Sequence, residues 1–155
     1  FKNMGEVQRP FRVVRAIVHD RKAQPYTTTR QLASLIERVD GWQKRGMHPA
    51  TKYFMALRLQ VNFELSNIQE ILPVLVEHLA QGGVLAVITF HSLEDRIVKN
   101  VFRSMLDKGS LINRKVIKPS DAEMEENPRS RSAKLRAFQK GVFHKRNKYE
   151  QTDDN

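Results

Sequence analysis

Cysteine is absent from this chain of 155 residues, which excludes a disulfide framework and any thiolate metal site. A reducing, cytoplasmic setting is the expectation. Apolar runs are short: none approaches the roughly 20 residues that cross a bilayer, and no signal-peptide pattern opens the chain. The five histidines are scattered, without the spacing of metal ligands, so no metal is expected. P-loop, GxSxG, HExxH and EF-hand patterns are all missing, and the paired carboxylates of the acidic stretch from Pro119 to Glu126 read as solvated. Nothing builds a nucleophilic triad. Negative charge is also short, with 17 Asp and Glu against 27 Lys and Arg, a formal net charge of +10. A polyanion is the natural partner of such a chain, nucleic acid the commonest one, and a domain that is simply basic is the alternative.

What is present suffices for one domain with a core, at 40% hydrophobic residues. Residues 5–22 read as a helix, with Phe11, Val14 and Val18 at helical spacing beside Ile17. Arg12, Arg15, His19 and Lys22 fall on another face, either as phosphate contacts or as a solvated surface. Thr28 and Gln31 form a capping-box pair ahead of Leu32, Leu35, Ile36 and Val39, and Gly41 supplies the stop. Trp42 sits in a basic connection with Lys44, Arg45 and His48, as a cap on a small core or as a stacking platform. From Thr51 a stripe runs through Phe54, Leu57, Val61, Leu65, Ile68, Leu72, Leu75 and Leu79. It predicts a long helix bent or divided near Pro73, with Ser66 and Gln69 as a possible new cap.

Gly82-Gly83 then reads as a helix stop. The run Val84–Phe90 lacks alternation and predicts a strand covered on both faces, as in a parallel sheet. His91, Ser92, Glu94, Asp95 and Arg96 follow at once, at the carboxyl end of that strand, where open α/β sheets bind ligands. Ser92 is the expected N-cap of a helix to Leu106, with Glu94 and Asp95 in its first turn, so capping and dipole matching alone could account for all three. Ile97, Val98, Val101, Phe102 and Met105 form its apolar side. Asp107–Ser110 predicts a turn, Leu111–Ile117 a strand, residues 119–126 a loop, and Ser132–Gln139 a second strand antiparallel to the first. From Gly141 the tail has no apolar period and is expected to be disordered.

Three stretches carry a resemblance: ITFHSLEDRIVK (88–99), HPATKYFMALRLQVNFEL (48–65) and NPRSRSAKLR (127–136). Together and in this order they resemble the bacterial 16S rRNA cytosine-N4 methyltransferase family, from about Gly5 to Gly141. The resemblance implies an α/β fold, the C-terminal part of a class I, Rossmann-like, S-adenosylmethionine-dependent methyltransferase with part of its inserted helical domain. Residues 1–47 would belong to the insertion, 48–140 to the methyltransferase domain and 141–155 to a basic tail. It implies N4-methylation of a cytidine in 16S rRNA of the small ribosomal subunit. His91, Ser92 and Asp95 would stand near the reacting base, while Arg96, Asn62, Arg58, Asn127, Arg129 and Arg131 would hold substrate.

The family's glycine-rich turn after its first strand, and the acids after its second and fourth strands, have no counterpart here. The first residue, Phe1, is not methionine. The expectation is therefore a fragment that is inactive alone and binds S-adenosylmethionine weakly or not at all. A non-catalytic, basic RNA-binding α/β domain is the rival reading.

Overall fold

The computed structural model describes residues 1–42 and 46–141. The expected disordered tail, like Lys44 and Arg45 of the basic connection, lies outside these residues. The chain divides into two compact units, Phe1–Glu64 and the residues from Leu65 onward.

The first unit is helical. A short α1 (Lys2–Gly5) precedes α2 (Phe11–Ala23), α3 (Thr29–Asp40) and α4 (Thr51–Val61). Of the helix expected over 5–22, residues 6–10 are not helical: α1 ends at Gly5 and α2 begins after Pro10. Gly5 is required where α1 meets α4: a Cβ there would lie 2.7 Å from the Lys52 carbonyl oxygen. The core joins Val7, Val13, Leu35, Ile36, Ala50 and Tyr53. Val13, with Ala16 and Ile17 behind it, is the inward side of α2. The expected stripe is the outward one, with Phe11 68% exposed and Val14 and Val18 also exposed. In α3 the Thr28–Gln31 capping box forms in both directions, and Gly41 closes the helix at a φ of 68°.

The long stripe from Thr51 does divide, but at Phe63. That residue adopts a φ of 54°, a left-handed conformation that ends α4 and lets α5 (Glu64–His78) begin. Ser66 therefore lies inside α5 rather than capping it, and Pro73 is carried within the helix. The Gly82-Gly83 pair is a turn four residues past the end of α5, not its stop.

The second unit holds β1 (Val84–Thr89), α6 (Ser92–Ser104), β2 (Gly109–Leu111), α7 (Asp121–Glu126), a 3-10 helix (Pro128–Ser132) and β3 (Lys134–Lys140). The strands form one antiparallel sheet in the order β1-β3-β2. Val84 pairs with Gln139 and Thr89 with Lys134 along β1 and β3, while Leu111 pairs with Phe138. Leu72, Val76, Val98, Phe102, Met105 and Phe138 make the core, with Leu85 and Val87 packed against it.

Three expectations are corrected in this unit. The β1 run is not doubly covered or parallel: Val84, Ala86 and Ile88 are exposed while Leu85, Val87 and Thr89 turn inward, the alternation of a half-covered antiparallel strand. The expected strand over 111–117 is β2 followed by a single bridge from Ile117 to Leu135. The acidic loop contains α7, capped by the Ser120 hydroxyl. No helix among the described residues is long and apolar enough to cross a membrane.

Candidate functional site

The chain leaves β1 through Phe90 and His91 and enters α6 directly. His91, not Ser92, is the N-cap. It is extended, and its Nδ1 accepts from the Glu94 backbone N–H at 3.4 Å. Glu94 returns the bond, its Oε2 accepting from the backbone N–H of His91 at 3.4 Å and of Phe90 at 2.9 Å. A ring that accepts at Nδ1 carries its proton on Nε2 when neutral. That Nε2 is buried 3.0 Å from Glu94 Oε1 but makes no hydrogen bond. Ser92 takes the first helical position, half-buried.

Asp95 points across the sheet end to β3. Its two carboxylate oxygens accept from Arg136 Nε at 2.7 Å and from an Arg136 terminal nitrogen at 3.1 Å. Both side chains are mostly out of water, 16% and 12% exposed. The Arg136 hydrogen bond holds the Asp95 carboxyl below its ordinary value, against the opposing effect of burial, with the Arg136, Lys134 and Lys99 charges adding to it. A carboxylate engaged this way fixes the α6 start against β3. It is not poised to take up a proton at neutral pH.

The antiparallel register sets the surroundings. Thr89 pairs with Lys134, so the carboxyl end of β1 and the entry to β3 share one end of the sheet. The 3-10 helix that leads into Lys134 exposes Arg129 and Arg131 there, while Ser130 turns inward with its hydroxyl unpartnered. Asn127 is exposed and joins α7 to that helix. Arg96 is exposed on α6. In the first unit, Arg58 and Asn62 converge on Glu64: Arg58 Nε donates to its Oε1 at 2.9 Å, and Asn62 donates to the same oxygen at 3.2 Å.

Trp42 is not a core cap, being 58% exposed. Tyr53, inside the first unit, donates its hydroxyl to Asp40 at 3.2 Å, and burial followed by the Asp40 charge pushes its pKa up to about 12. Among the described residues no three His, Asp or Glu side chains gather as metal ligands would.

Two residues that organise this end were not singled out from sequence. Arg136 lies on the strand expected over 132–139 and has no signal in the sequence beyond its charge. Asn113 had no signal at all, yet its side chain donates to the Leu135 carbonyl at 3.1 Å and accepts from the Ala137 N–H at 2.7 Å, extending the sheet beyond β2.

Residues 1–141 match the MraW methylase family. The chain belongs to the MraW methylase family. It is 61% identical over 142 residues to the ribosomal RNA small subunit methyltransferase H of Bdellovibrio bacteriovorus, a match covering 92% of this chain and 43% of that protein. It is 50% identical over 140 residues to the protein of the same name from Coprothermobacter proteolyticus, covering 89% and 46%. The Wolbachia pipientis protein of that name is 45% identical over 143 residues, covering 89% and 49%. This MraW-family chain thus spans less than half the length of the curated relatives it matches.

Proposed function

We propose that this chain is the substrate-side, C-terminal part of an S-adenosylmethionine-dependent enzyme that methylates the N4 of a cytidine in 16S rRNA. One observation carries the reading: in a methylase-family chain, the β1–β3 register brings the His91–Asp95 turn and the basic Arg129–Arg131 helix to the same end of the sheet. The exocyclic amine of cytosine is a poor nucleophile because its lone pair is delocalised into the ring. Catalysis must therefore position it and accept hydrogen bonds from its protons. A base within folded RNA must also be turned out to be reached. His91 and Ser92 would meet that base, with Asp95 holding them in place through Arg136. Arg96, Asn127, Arg129 and Arg131, with Arg58 and Asn62 of the first unit, would hold the RNA.

The residues present do not fit the methyl donor. The turn after β1 has no glycine, and three of its amides are committed: Phe90 and His91 donate to Glu94, and Glu94 donates to His91. The donor's site would lie in sequence beyond this chain, and the chain alone would be inactive. The division near residue 47 between helical insertion and methyltransferase domain, and a cytoplasmic setting, belong to the same proposal.

The test uses the intact methyltransferase and small ribosomal subunits, with methylation read by mass spectrometry. Arg129→Ala with Arg131→Ala is expected to raise KM several-fold, and His91→Ser to lower kcat. A second reading, a grip without chemistry, is favoured by the commitment of His91 to Glu94 and of Asp95 to Arg136. Unchanged methylation in His91→Ser and Asp95→Asn, with weakened RNA binding in the arginine variants, would establish it.

A further inference from the structure

We propose that the first unit carries a binding site for one unpaired nucleotide of RNA, built from the Trp42 indole and the cleft beside it. The proposal rests on the RNA reading above and adds a place and a chemistry to it. Trp42 is held at its polar edge: the indole N–H donates to Glu37 Oε1 at 2.6 Å, and the ring meets His48 edge-on with centroids 5.2 Å apart. His48 is itself oriented, its Nδ1 accepting from the Ala50 N–H at 3.1 Å. An indole anchored this way yet largely in water has already lost the freedom that stacking would cost it.

His48 leads from the indole into a cleft of about 430 Å³, lined also by Glu6, Arg9, Asp40, Lys52 and Tyr53. That volume is at the small end of ligand sites, enough for one nucleotide and too little for a duplex. Its charges are mixed in a way that separates candidate partners. Arg9 and Lys52 suit a phosphate, while the Glu6 and Asp40 carboxylates, of which Asp40 already accepts from Tyr53, add negative charge to the lining. An acidic peptide would bring its own carboxylates against those two. Over residues 1–64 twelve Lys and Arg stand against five Asp and Glu, so a polyanion is attracted to the unit as a whole.

Trp42 is the only tryptophan, so the emission of the full 155-residue chain reports on this site alone. A single-stranded hexacytidylate is expected to quench it, and a blunt RNA duplex of equal charge is not. By anisotropy of labelled hexacytidylate, Trp42→Ala is expected to weaken binding about five- to tenfold, with Trp42→Phe restoring most of it. Lys52→Ala should lower the salt dependence by about 0.7 in the log–log slope, the share of one phosphate. Binding by anisotropy with unchanged emission and an indifferent Trp42→Ala would overturn the site and leave the RNA reading intact. Equal quenching by polyglutamate would overturn it in favour of a protein-binding surface. Absence of binding to any RNA by both readouts would overturn the RNA reading and this inference with it.

Discussion

Asp95 and Arg136 are 41 residues apart in sequence and joined by two hydrogen bonds in the structure. Removing the charge from one partner of a mostly buried pair costs about 2 kcal/mol when shape and one acceptor are kept, as in Asp95→Asn. The sign with pH follows from the lowered Asp95 pKa. The folded state binds this proton less readily than the unfolded chain, so the stabilisation is full above about pH 4 and is lost as pH falls through the folded value. Urea denaturation should show a constant gap between the parent chain and Asp95→Asn from pH 5 to 7, closing below pH 4. A gap independent of pH would mean the ion pair contributes nothing. The same pair explains why the cap was misassigned. Two frames fit the box spacing, His91 with Glu94 and Ser92 with Asp95, and serine is the better cap. What selects the first frame is Arg136, which draws Asp95 away to β3, and no local pattern reveals that. His91→Asn should preserve the cap within about 0.5 kcal/mol, while His91→Ala should cost about 1 kcal/mol. On the proposed function, methylation by the intact protein that tracks the imidazole rather than the cap would separate a role in chemistry from one in folding.

At the scale of elements, α3 was legible because its cap, stripe and stop all agree. In α2 two apolar rows compete, Phe11–Val14–Val18 and Val13–Ala16–Ile17, and periodicity is satisfied by either. Packing against Leu35 and Ile36 selects the second. Val13→Ala should therefore destabilise by about 2 kcal/mol, and Val14→Ala by less than about 0.5 kcal/mol, in chemical denaturation. The reverse order would mean the helix is rotated from its described position. The break at Phe63 had no glycine or proline to announce it, while Pro73, the visible breaker, sits in a helix that tolerates it. In β1 the alternation of burial was hidden because residues on both faces are apolar. Only pairing with β3 distinguishes Val84, Ala86 and Ile88 from the inward set. The boundary of β2 was lost for another reason, since Asn113 replaces strand pairing with side-chain bonds.

For the whole molecule, composition suggested a polyanion and the three motifs announced the family. The described sheet is small and antiparallel, whereas the class I methyltransferase fold implied by the family is larger and mostly parallel. The cations are spread over both units, and three amides at the end of β1, those of Phe90, His91 and Glu94, are already bonded to the His91 and Glu94 side chains. These facts predict opposite outcomes for the two partners of the proposed methylation. Calorimetric titration of S-adenosylmethionine into the 155-residue chain should give no heat of binding at micromolar concentrations. Titration of single-stranded RNA should give binding that weakens steeply with salt, by about 0.7 in log K per unit log salt for each phosphate neutralised. Micromolar cofactor binding would mean that the committed amides can be released and that a donor site exists among these residues. Its absence, with RNA binding retained, would support the proposed division, with substrate capture in this chain and donor capture outside it.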